Sequence, residues 1–168
     1  MKRPGLLSSL LLIAFMTALL GCSQNGAPGG EGTTSQSSVP AIEGSTFDAP
    51  GFTIIVPKDW ESTSFDGGVR MYKGTNDIIE VSVRGYNMTA GEDKSQSEGF
   101  AQRYNGTKPE QVDFAGMKFW KTTFTAGSVY QTSYMSMKNG QLVAVKIAGP
   151  DHETNQTMSG ILSTLKFR

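Results

Sequence analysis

The sequence predicts an α+β domain, an antiparallel β-sheet with flanking helices, and three observations carry that expectation. Short segments of alternating apolar and polar residues, rich in β-branched and aromatic side chains, recur between residues 52 and 148. Glycine-containing pairs stand between them as turn signals: Gly67-Gly68, Ala115-Gly116, Ala126-Gly127 and Asn139-Gly140. Two stretches instead have helical spacing, so strands and helices are segregated rather than alternating as in a parallel sheet.

The first strand is Phe52-Thr53-Ile54-Ile55-Val56, in which Phe52, Ile54 and Val56 share a face. Pro57 ends it, and Lys58-Asp59-Trp60 makes a turn. A short segment at 63–65, the Gly67-Gly68 signal and a strand at 69–73 follow. Residues 78–86 form a stronger strand, with Ile79, Val81 and Val83 inward and Glu80, Ser82 and Arg84 outward. Residues 92–104 predict a helix whose Phe100 and Tyr104, four apart, share one side, and Asn105-Gly106 supplies its stop. Hairpins follow: 108–114 into 117–125, where Trp120, Thr122 and Phe124 alternate, then 129–137, then 142–148 with Val143, Val145 and Ile147 inward. Gly149-Pro150 breaks that strand. Asp151 is the expected N-cap of a last helix with Met158, Ile161, Leu162 and Leu165 on its apolar face, and Lys166-Phe167-Arg168 returns as strand.

Ahead of this domain, Lys2 and Arg3 precede an apolar run at 6–20 that ends in Leu19-Leu20-Gly21-Cys22. The layout is that of an export signal, too short for a membrane span. The four-residue motif resembles the lipobox of bacterial lipoproteins, in which a diacylglycerol is joined to the cysteine sulfur and the peptide is cut just before it. The resemblance implies a signal peptide at 1–21, lipid attachment at Cys22 through long acyl chains such as palmitate, and an extracytoplasmic protein held on the cell membrane. Ser23, rather than an aspartate, follows the cysteine, which points to the outer membrane if the cell has two. Cys22 is the only cysteine, so no disulfide is available. Two or more acyl chains give stable anchoring where one gives only marginal binding.

Residues 22–45 are rich in Gly, Ser, Thr and Pro and lack the apolar surface that would offset ordering entropy, so they are expected to form a flexible tether reaching about 25 Å. Residues 46–168 are the size of one domain with a single core. The chain carries 15 basic and 15 acidic residues. Losing Lys2 and Arg3 with the leader makes the mature protein slightly acidic, which excludes nucleic acid and anionic lipid as main electrostatic partners.

Phe52-Thr53-Ile54-Ile55-Val56-Pro57-Lys58-Asp59-Trp60 behind a lipobox and a tether, with long hairpins, a Gly-Pro-Asp break, a helix and a Leu-x-Phe tail, resembles the PsbP-like and DcrB-like proteins over about residues 47–167. The resemblance implies an α-β-α sandwich and an accessory role, since photosynthetic members bind a membrane complex rather than catalyse a reaction. It brings no catalytic residues.

Candidate chemistry is sparse. His152 is the only histidine, in Asp151-His152-Glu153. A metal ligand or general base is one reading. A solvated first helical turn, with the two acids complementing the helix dipole, is the favoured one, because one histidine with flanking carboxylates fits zinc poorly. No nucleophile elbow, phosphate-cradling loop or spaced metal motif occurs, so no catalytic residue, metal or cofactor is expected. Met135 and Met137, with Met117 and Met158, could form a thioether site for Cu(I), against the commoner role of methionine as core filler. Tyr130 and Tyr134, with Thr132 and Ser136 between them, form a polar-aromatic row that either lies under a helix or is an exposed binding surface. The expected function is a non-enzymatic, membrane-tethered accessory or binding module with a protein partner in the envelope. A receptor for a small ligand, bound between sheet and helix, is the alternative, and a hydrolase is third.

Overall fold

The computed structural model describes residues 40–168. The expected signal at 1–21, Cys22 and the expected tether up to residue 39 lie outside them. Two antiparallel sheets and two helices follow in the order β1 (Gly44–Ala49), β2 (Phe52–Pro57), β3 (Glu61–Phe65), β4 (Gly68–Lys73), β5 (Asp77–Gly85), α1 (Glu92–Tyr104), β6 (Glu110–Phe114), β7 (Met117–Ala126), β8 (Val129–Lys138), β9 (Gln141–Ala148), α2 (Gln156–Ser163) and β10 (Lys166–Phe167). Seven strands make one sheet in the order β3-β4-β5-β9-β8-β7-β6, and β1-β2-β10 make the other. The fold is therefore the expected α+β class. No helix among the described residues is long and apolar enough to cross a membrane.

Strand alternation sets the layers. Val69 and Met71 of β4, Ile79 and Val81 of β5, and Val145 and Ile147 of β9 all point to one face and are buried. Phe52 and Ile54 of β2 and Met158 and Ile161 of α2 close over them, making one core with Trp60 and Leu165. Phe52 packs between Phe47 and Phe167, with ring centroids 5.9 and 6.4 Å away. The pairing of Phe167 with Phe52 shows the C-terminal tail returning as a strand.

The other face carries α1. Phe100 and Tyr104 both pack on Phe124, at 5.8 and 5.0 Å. The buried Ser97 hydroxyl donates to the Trp120 carbonyl at 3.2 Å and lies 3.3 Å from Thr122 Oγ1. Asn105 ends the helix in the left-handed conformation, as its sequence predicts. Gly106 then passes so close to β7 that an added Cβ would lie 2.7 Å from the Thr123 carbonyl oxygen.

Several expectations need correction. β1 is a strand the alternation did not predict, since its burial pattern is mostly exposed. The hairpin between β3 and β4 turns at Asp66-Gly67, not Gly67-Gly68. Gly68 pairs with Phe65 inside the ladder, where a side chain would strike that ring. Asn155, not Asp151, caps the last helix: its side chain accepts from the Met158 N–H at 3.1 Å. The Asp151 carbonyl instead accepts from the N–H groups of Thr154 and Asn155 at 3.0 and 2.9 Å, closing a turn that separates it from the helix.

Candidate functional site

α1 covers the seven-stranded sheet only over β7 and β8, so the same face over β3, β4, β5 and β9 is left open. The register decides which side chains line it. Because Val69, Met71, Ile79 and Val81 enter the core, Arg70, Tyr72, Ile78, Glu80, Ser82 and Arg84 must point the other way. Arg70 and Lys146 flank Glu80 on the neighbouring strands. Arg70 donates to Glu80 Oε2 through Nε at 2.9 Å and Nη2 at 2.7 Å, and Lys146 Nζ approaches the same oxygen at 3.6 Å. One carboxylate thus engages two cations. Tyr72 donates its hydroxyl to Glu61 at 3.1 Å.

Arg84 differs. Its guanidinium lies over the Phe65 ring, 5.3 Å from the centroid, and Nη1 donates to the Tyr86 hydroxyl at 3.3 Å. No carboxylate among the described residues pairs with it, and its buried Nε has no partner. The Tyr86 hydrogen bond, opposed by burial and supported by the more distant Glu80 and Asp66, raises its pKa, so the group remains a cation. Two concavities meet here, sharing Glu80 and Arg84. One of about 720 Å³ spans β3 to β5, and one of about 490 Å³ runs between α1 and the β5–β9 surface.

The opposite face has a second cleft of about 470 Å³ between α2 and the β6–β8 surface. Lys121 Nζ lies 3.3 Å from Glu153 and 3.9 Å from Glu110. Burial lowers its pKa, but the Glu153 hydrogen bond and surrounding charges outweigh this, and the net shift is upward. Tyr134 stacks on Phe114 at 4.8 Å. Burial raises the pKa of its phenol, opposed by Lys121 and reinforced by Glu153 and Glu110.

His152 forms part of the wall of this cleft and is only 2% exposed, not in a solvated turn as expected. Its Nδ1 lies 2.8 Å from the Gly149 carbonyl oxygen, which can only accept, so Nδ1 carries the proton. Nε2, 2.8 Å from Thr132 Oγ1, then accepts from that hydroxyl in the neutral ring. Thr123 Oγ1 lies 3.3 Å beyond Thr132 Oγ1. Both ring nitrogens are engaged within the fold and neither bonds a serine, so the ring closes a buried polar chain. Sequence spacing gave no sign that His152 meets the middle of β8, because the meeting depends on the path of the chain after Gly149-Pro150.

That contact also resolves the tyrosine row. Thr132 and Ser136 are buried, Tyr134 lies in the cleft beside α2, and Tyr130 remains 38% exposed with its ring 4.9 Å from His152. The methionines are divided by the sheet: Met135 faces the α1 side, whereas Met158 is in the opposite core. Met135 and Met158 therefore share no thioether site. Among the described residues, no group of three or more His, Cys, Asp or Glu side chains is placed to hold a metal. Cys22 lies outside the described residues. The outward row of β5 was legible as a row, but its role in a concavity was not: nothing in the sequence says that α1 stops short of it.

No family model matches the chain, and no curated protein matches it. Solved structures do. A crystal structure from Bacteroides thetaiotaomicron VPI-5482 superposes with a TM-score of 0.52 at 18% identity over 76% of this chain and 49% of that one. The chain therefore spans about half the length of that protein. The solution structure of cyanobacterial PsbP (CyanoP) from Synechocystis sp. PCC 6803 gives a TM-score of 0.52 at 11% identity, covering 74% of this chain and 92% of that one. LpqN, involved in cell envelope biogenesis of Mycobacterium tuberculosis, gives 0.41 at 12% identity over 76% and 92%. With its seven- and three-stranded antiparallel sheets and two packed helices, the chain has the PsbP-like fold.

Proposed function

We propose that this protein is a membrane-tethered, extracytoplasmic, non-enzymatic binding module that serves an envelope complex. The observation that carries the proposal is the half-covered sheet: a concave, mixed aromatic and charged surface left open beyond α1. Leu19-Leu20-Gly21-Cys22 and the polar segment after it support a lipid anchor with a spacer. The burial of the His152–Thr132 pair supports a role without chemistry, since the one hydroxyl that the only histidine accepts from is closed off from solvent and continues inward to Thr123.

Two measurements test it. Cys22→Ser should leave the precursor uncut or release the protein from membranes, and a correctly cut, membrane-bound variant would remove the anchor from the proposal. A photo-crosslinking residue placed at Ile78 or Tyr72 in intact cells should give a discrete protein adduct. The same residue at exposed Asp113, on the β6 edge, should not. Equal adducts at all three positions, or none, would refute the open face as the protein-docking surface.

A second reading, a receptor for a small ligand, is favoured by one observation. The concavity over β3 to β5 has a volume within the roughly 300–1,000 Å³ range of small-molecule sites.

A further inference from the structure

We infer that Met88, Met135 and Met137 form a thioether site for Cu(I), at the corner where the chain between β5 and α1 crosses the end of the β8–β9 hairpin. The inference stands apart from the docking reading, whose crosslinking positions, Tyr72 and Ile78, lie at the other end of the open face.

The fold divides the methionines by environment. Met71 and Met158 are fully buried members of the hydrophobic core. Met88 and Met135 are absent from that core and line the concavity between α1 and the β5–β9 surface. Met137 follows Met135 by two residues on β8, so it takes the same face about 7 Å further along, where it is half-buried.

Backbone pairing brings the third methionine to these two. Across β9, Met135 pairs with Ala144 and Met137 with Leu142, and the Asn139-Gly140 turn closes the hairpin just beyond. The chain leaving β5 crosses this end, where the Met88 N–H donates to the Gly140 carbonyl at 2.9 Å. Met88 thereby shares one concavity with Leu142 and Met135. Three unbranched, adaptable side chains, two from a strand and one from the crossing segment, come to the same corner.

The donors select the ion. A thioether is a neutral, soft ligand that suits Cu(I), whereas zinc takes imidazole, thiolate or carboxylate. Neutral sulfurs leave the single charge of the ion uncancelled, and Glu92 supplies a negative charge close by. Its carboxylate accepts from the N–H of Thr89, the residue after Met88, at 2.7 Å, and it lines the same concavity. Arg84, two strands from Met137 on β5, is turned over Phe65 on the far side. The concavity also gives an ion a way in, which the core methionines lack.

The test uses the full chain in detergent micelles, carrying Cys22→Ser to remove the only thiol and isotope-labelled methionine methyl groups. Ag(I), a redox-inert ion of the same charge and softness, is titrated first, and Cu(I) follows with ascorbate in the absence of oxygen. The methyl resonances of Met88, Met135 and Met137 should move together and saturate at one ion per chain, while those of Met71, Met117 and Met158 stay in place. Leucine preserves side-chain volume at each position. Met88→Leu and Met137→Leu should each weaken Cu(I) binding, measured against a chromophoric chelator, by at least about tenfold, the loss that even a supporting group at a metal site causes. Met158→Leu should leave it unchanged. No saturable movement, or movement confined to other methionines, would overturn the inference without any variant being needed. Movement of Met135 and Met137 without Met88, or an affinity indifferent to either substitution, would overturn the three-sulfur site. Zn(II) moving the same resonances at equal concentration would overturn the choice of ion.

Discussion

Over β4, β5 and β9 the two faces of the seven-stranded sheet are made from the same strands, yet one is closed and the other open. On the closed face, Val69, Met71, Ile79, Val81, Val145 and Ile147 form an unbroken apolar patch, and β2 and α2 cover it completely. On the other face, Trp120, Thr122 and Phe124 receive α1, but the adjoining strands present Arg70, Glu80, Arg84 and Lys146 in its place. A helix laid over those four would bury charges at a cost that packing does not return. Apolar surface attracts its own cover, whereas charged and aromatic surface stays accessible. The closed face therefore holds the protein together, and the open face is where it can meet something else.

The comparison predicts that substitutions on the closed side damage stability and those on the open side do not. The largest effect is expected for Phe52→Ala, which empties the centre of the Phe47-Phe52-Phe167 group and should cost about 3–5 kcal/mol in urea unfolding. A loss below about 1 kcal/mol would show that this core relaxes around the gap.

His152→Ala comes next. It leaves the Gly149 carbonyl and the Thr132 hydroxyl without their buried partner, at about 1–3 kcal/mol. An unchanged midpoint would mean that the polar chain is replaced by water at no cost.

A smaller effect is expected with pH. Tyr134 has a phenol pKa raised in the folded state by burial, with Lys121 opposing and Glu153 and Glu110 reinforcing. Unfolded, a tyrosine ionises near pH 10. Between that pH and the folded value only the unfolded chain has released the proton, so this contribution to stability is intact below about pH 10 and is lost as pH rises through the folded value. In an ultraviolet titration, Tyr134→Phe should lack a late-ionising phenol present in the parent, and identical titrations would contradict the assignment.

The smallest effect on stability is expected for Arg84→Gln on the open face, within about 0.5 kcal/mol. A large loss would show that Arg84 holds the fold. The open face would then belong with the closed one.

Much of the fold could be read from local pattern. Period-two alternation placed Ile79, Val81, Val143, Val145 and Ile147 on one face, and all but Val143 belong to the single core cluster. Asn139-Gly140, both at positive φ, turn the hairpin between β8 and β9 as their conformational freedom predicts. The helix at Glu92–Tyr104 and its Asn105 stop follow from the spacing of Phe100 and Tyr104 and the tolerance of asparagine for the left-handed region. The site was less legible. Arg84 and Glu80 look alike in the sequence, as outward charges on one strand. They differ because β4 and β9 bring Arg70 and Lys146 beside Glu80, whereas no carboxylate among the described residues comes within ion-pair distance of Arg84.

The sequence by itself determined most of the strands and turns, the inward rows and the motif at Cys22, because each depends on the chemistry of residues close together in the chain. Tertiary structure alone decided that β5 pairs with β9, that α1 stops at β8, and that His152 reaches Thr132. Those outcomes join residues far apart in the chain, and they are set by the competition among apolar surfaces for a limited amount of cover, which local spacing does not encode.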